Sequence, residues 1–125
     1  MNDDDKYLLS EFLGVENDFY ANTENLVEQL MEFGTSEIPM LEFRCSEIFT
    51  LRHKLDLFMT IKSDFYHYEI ASLISFWDSL FIQIKEIVTE NGRNTSWLSS
   101  KFENFKGQHE IVDLMVREQL KSMSN

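Results

Sequence analysis

The sequence predicts an all-α protein, a compact single-domain bundle of five or six helices. Three observations carry this. Apolar residues recur every three or four positions along almost the whole chain, the spacing of a helix face and not of a strand. One proline and four isolated glycines leave few interruptions. Hydrophobic residues make up 43% of the 125, eleven of them Phe, enough to offset chain entropy without disulfides or metal ions. At this length residues 1–125 form one helical domain with no room for a second. Its parts are an acidic N-terminal third (1–42), central helices over about 38–90 and two short C-terminal helices over about 96–121.

The first helix holds Leu8, Leu9, Phe12 and Leu13, and Gly14 is expected to end or bend it. The second starts at Asn22 or Thr23, either able to cap it. It runs through Leu26, Val27, Leu30, Met31 and Phe33 to Gly34. Thr35, Ser36, Glu37 and Pro39 have the make-up of a third helix start, followed by a stripe of Leu41, Ile48, Leu51, Leu55 and Phe58. Ser63 or Asp64 would cap a fourth, with the seam Ile70, Leu73, Trp77, Leu80, Ile84 and Ile87. Phe76 and Ile82 fall away from that seam, so this helix is apolar on more than one side. Asn91 to Asn94 reads as a turn. A helix from Ser96 to Phe105 ends at Gly107, and a last one runs from His109 to Lys121.

No pattern points to catalysis, and the expectation is a protein that is not an enzyme and carries no cofactor. His53, His67 and His109 are scattered, and Cys45 is the single cysteine, so no zinc spacing exists. A di-iron bundle needs two Glu-x-x-His elements, whereas the nearest match here is Asp64-x-x-His67, once. The glycines are too isolated to cradle a phosphate. No Gly-x-Ser-x-Gly elbow is present, and no Arg precedes a His by the four to six residues used in small helical ribonucleases. Cys45 sits among Leu41, Phe43, Ile48 and Phe49 and is expected to be a small buried hydrophobe in a reducing compartment. The acidic start Asp3-Asp4-Asp5 is the reverse of a signal peptide's n-region, and no apolar run approaches a membrane span, which predicts a cytoplasmic location.

Charge is the one strong functional signal. The chain carries a net charge of −11, and residues 1–42 hold eleven Asp and Glu against one Lys, while residues 43–125 hold eleven against ten Lys and Arg. Such a molecule repels nucleic acid and anionic membranes, and attracts a basic protein. Glu24, Glu28 and Glu32 lie four residues apart in one row, each like-charge pair detracting a few tenths of a kcal/mol from the helix. Asp18 and Tyr20 precede them, within a stretch where Tyr7, Phe12 and Phe19 are also interleaved with carboxylates. Asp18, Tyr20, Glu24, Glu28 and Glu32 are therefore the candidate partner-binding residues, rings supplying contact area and charges steering encounter. The expected function is a small acidic binding protein that neutralises a basic protein partner, a nuclease toxin or another nucleic-acid-handling enzyme. Immunity proteins, antitoxins and anti-defence inhibitors share this size and charge. The alternative is a dimeric structural or adaptor subunit, with Phe76 and Ile82 facing a second copy.

Overall fold

The computed structural model describes residues 3–33, 38–65, 67–89 and 96–123. Among these residues there are four helices and no strand: α1 (Asp3–Phe33), α2 (Ile38–Ile61), α3 (His67–Thr89) and α4 (Ser96–Met123). The chain is all-helical, as its periodicity requires, but with four helices in place of five or six. The lower count has one cause. Gly14 lies inside α1 and Gly107 inside α4, so neither ends a helix, and Asn22 and Thr23 are mid-helix residues and not caps. The two short C-terminal helices are one. Gly34 and the turn at Asn91 to Asn94 lie outside the described residues.

Glycine within a helix costs about 1 kcal/mol relative to alanine, which a long buried face readily outweighs. In α1 that face is Leu9, Phe12, Glu16, Phe19, Thr23, Leu26 and Leu30, all buried and at unbroken three- and four-residue steps once the two polar members are counted, with the buried Val27 beside Leu26. In α4 it is Leu98, Phe105, Val112 and Val116, with the part-buried His109 in the register between.

Cross-helix contacts fix the topology. Phe12 stacks on Phe58 with ring centroids 4.3 Å apart, and Lys62 pairs with Asp5, so α2 returns antiparallel along α1. Arg52 meets Asp78 and Phe49 meets Phe81, which sets α3 antiparallel to α2. Asn17 reaches Asp113 while Tyr20 reaches Phe102, so α4 runs antiparallel to α1 and closes an up-down-up-down bundle. Diagonally, Phe19 packs 5.4 Å from Trp77, and the Trp77 Nε1–H donates to Thr23 Oγ1 at 3.1 Å. Thr23 donates in turn to the Phe19 carbonyl, leaving both buried polar groups satisfied.

A Cβ placed on Gly14 or Gly107 meets nothing within 4 Å, and both positions face solvent. Gly14→Ala and Gly107→Ala should therefore each stabilise the protein by about 1 kcal/mol. That corresponds to a rise of about 4 °C in the thermal midpoint followed by circular dichroism. A fall in the midpoint for Gly14→Ala would mean that the helix has to bend there.

Candidate functional site

Because α1 is one helix, carboxylates from its two halves align. Asp4, Glu11, Asp18, Asn25 and Glu32 recur at seven-residue intervals, and all are exposed. A seven-residue step rotates only about 20° around a straight helix, so these residues form a slowly winding stripe about 42 Å long at 1.5 Å per residue. Tyr7, 69% exposed, sits within it between Asp4 and Glu11, and Glu28 borders its far end. Glu11, Asp18, Glu28 and Glu32 enter none of the ion pairs found among the described residues. The charge is also not placed for helix stability. Asp4 is favoured by the positive end of the helix dipole, but Glu28 and Glu32 approach the negative end, and no basic residue occupies the last turn.

The five residues singled out from the sequence divide into two groups. Asp18, Glu28 and Glu32 stand on the exposed side of α1. Tyr20 and Glu24 are partly buried and already engaged with each other, the tyrosine hydroxyl donating to Glu24 Oε2 at 2.9 Å. The Tyr20 ring lies parallel to His109 at 3.9 Å and stacks on Phe102 and Phe105. Burial, reinforced by the Glu24 carboxylate, pushes the Tyr20 phenol above its ordinary range. Phe12 and Phe19 are core residues and not surface anchors. Asp4, Tyr7 and Glu11 belong to the acidic stretch of the sequence, but their alignment with Asp18 and Glu32 rests on the seven-residue repeat, visible only along an unbroken helix.

Beneath Tyr20 lies a polar cluster joining α1 to α4. Glu16 is wholly buried, and its Oε1 lies 2.5 Å from His109 Nδ1. Asn17 donates to Asp113 Oδ1 at 3.0 Å and to the Leu13 carbonyl at 2.9 Å. Arg117 donates to both Asp113 oxygens. Burial raises the Glu16 carboxyl above its ordinary value, although contact with His109 opposes the change. Burial also pulls Asp113 upward, but the hydrogen bonds from Arg117 and Asn17 outweigh it and leave that carboxyl below its usual range. This cluster orients the His109 ring through Glu16 on one edge and Tyr20 on its face.

A second surface feature lies on the far side of α2. A groove of about 410 Å³ opens between α2 and α3, its walls formed by Leu41, Cys45, Phe49, Phe81, Ile84 and Val88. Cys45 is half-buried in this wall and not in the core, and burial, aided by Glu42, pushes its thiol up. One end of the groove adjoins a clamp in which Arg52 donates from Nε and Nη2 to the two Asp78 oxygens, each at 2.9 Å, and from Nη1 to Asp56 at 2.8 Å. No group of three or more His, Cys, Asp or Glu among the described residues is placed to hold a metal ion. No described helix is long and apolar enough to cross a membrane.

These features define an up-and-down four-helix bundle with a charged outer face on its first helix and an apolar groove between its second and third. No protein-family model, curated protein or solved structure matches the chain.

The Glu16 environment has a testable sign. A carboxyl whose folded-state value is raised favours the native protein while protonated. That contribution is complete below its ordinary value of 4.5 and is lost as pH rises through the raised value. The stability of the wild type relative to Glu16→Gln should therefore increase as pH falls from neutral to about 4.5, as read by urea unfolding across that range. Asp113 acts with the opposite sign and at lower pH, since its contribution is lost as pH falls through its lowered value. A wild-type advantage that shrinks on acidification towards 4.5 would contradict the assignment to Glu16.

Proposed function

We propose that this chain is a small acidic binding protein that captures and masks a basic protein, of the class that handles nucleic acids, through the outer face of α1. The observation that carries the reading is the alignment of Asp4, Glu11, Asp18 and Glu32 on one exposed stripe, with Tyr7 among them and Glu28 at its border. A row of carboxylates along one helix presents negative charge to a surface built to meet phosphates. Masking would be steric and electrostatic, and it needs no catalytic group on this chain. The field of a molecule with net charge −11, concentrated towards one helix, speeds encounter with a cationic surface and makes the rate salt-dependent. Tyr7 supplies apolar contact area at one end of the stripe, where a ring adds to the lifetime of the complex.

A self-associating adaptor is the second reading, supported by exposed Tyr68 and Ile82 on one side of α3. Phe76, also exposed, lies about 120° around the helix from Ile82, six residues at 100° each, so these two do not share a face.

The test is reversal of the stripe with Glu11→Lys, Asp18→Lys and Glu32→Lys, positions where the side chains are exposed and Lys forms helix at least as well as the residue it replaces. At low salt the wild type should retain one basic protein from the lysate of its source organism, and release it as salt is raised. The folded triple variant should associate with that protein at least about tenfold more slowly, the scale of electrostatic steering. An unchanged association rate at low salt, or a stable homodimer that captures no basic protein, would overturn the reading.

A further inference from the structure

The groove between α2 and α3 is not explained by the acidic face of α1. The α2–α3 seam is the least filled of the four around the bundle. The two helices meet at the Arg52–Asp78 clamp and at the edge contacts of Phe49 with Trp77 and Phe81. Beyond these contacts the groove runs along α2 from Phe49 back to Leu41. Eight residues of helix make it about 12 Å long, against about 10.5 Å between positions i and i+7 of a docked helix at 1.5 Å per residue. Two turns of an apolar stripe therefore match its length. The trough is also open along its side, with Phe49 43% exposed, whereas a small-molecule site encloses most of its ligand.

Charge narrows the occupant further. At the clamp, Arg52 is outnumbered by Asp56 and Asp78, whose side chains remain 41% and 47% exposed. The lining of the groove itself includes Glu42 and Lys85, one charge of each sign. The surface that a docked helix would meet is thus net negative, as is the molecule.

We infer that the α2–α3 groove seats two turns of an amphipathic basic helix contributed by a protein partner, its apolar stripe on Phe49, Phe81 and Val88 and a Lys or Arg at one end on Asp56 and Asp78. Such a helix adds a fifth member to the bundle by the helix-in-groove mode of recognition. The inference shares with the reading of α1 the expectation of a basic partner, but it concerns a different surface and stands on different residues.

Cys45, the single cysteine of the chain, lines the groove and makes occupancy measurable without mutation. The experiment follows the rate of Cys45 alkylation by iodoacetamide while adding a synthetic Leu/Lys peptide with leucines at i, i+3, i+4 and i+7. Oligolysine of equal charge, the same peptide with Glu for Lys, and laurate serve as comparison probes. The Leu/Lys peptide should slow alkylation about tenfold when present at about ten times its Kd. It should do so equally in the α1 variant carrying Glu11→Lys, Asp18→Lys and Glu32→Lys, while oligolysine and the Glu peptide leave the rate unchanged. Several outcomes would overturn the inference: no protection by the Leu/Lys peptide, equal protection by oligolysine, protection by laurate alone, or protection that grows with protein concentration and so reports a second copy. A basic protein captured through α1 that leaves Cys45 fully reactive would also overturn it while sparing the α1 reading. Protection that persists when no lysate partner is found would do the reverse.

Discussion

The two polar side chains that α1 buries constrain the rest of the bundle. Glu16 and Thr23 occupy positions that the helical period assigns to the core, and each makes a polar contact across a helix boundary. Thr23 is met by the Trp77 indole of α3, and Glu16 by the imidazole of His109 on α4. A buried group left without its hydrogen bond costs about 1–3 kcal/mol. Sliding α1 against either neighbour would break these contacts. They lie seven residues apart on the same helix, so they hold its middle in register against two different neighbours.

That register accounts for the unbroken course of α1 and for what its outer side displays. The favourable burial of Leu9, Phe12, Phe19, Leu26 and Leu30 on one face outweighs the roughly 1 kcal/mol disadvantage of Gly14 on the other. With the helix continuous, Asp4 and Glu32 belong to one surface although they come from opposite ends of it. Antiparallel packing then places the C-terminal turns of α1, bearing Glu28 and Glu32, at the same end of the bundle as the α2–α3 groove. The exposed Phe43 of α2 lies at that end as well.

Much of this was legible in the sequence. The seams of α2 and α3 follow directly from apolar spacing: Leu41, Ile48, Leu55 and Phe58, and Ile70, Leu73, Trp77, Leu80, Ile84 and Ile87, are all buried, while Leu51 of the same α2 stripe is only partly so. The helix count was not, because the apolar residues alone do not mark the full course of α1 and α4. Glu16, Thr23 and His109 interrupt that pattern at core positions, and each lies near a glycine or a cap-forming residue that offered a break instead. Their place in the core depends on partners 54 and 93 residues away, which local spacing does not contain. The same misplaced break concealed the long stripe and left only the local row of Glu24, Glu28 and Glu32. Glu24 is drawn inward by Tyr20, an interaction that depends on where α4 packs. The groove had no local signal at all, since it arises from the separation of two helices whose individual patterns are ordinary.

Native-state amide hydrogen exchange by NMR, residue by residue along α1, tests the central claim that this helix is a single element locked from within. The account predicts that amides from Gly14 through Glu24 exchange only by opening events close to global unfolding in free energy, with no dip at Gly14 or at Asn22 and Thr23. Fast exchange confined to the residues around Gly14 would contradict it, dividing α1 into two helices and separating Asp4 and Glu11 from the rest of the acidic face.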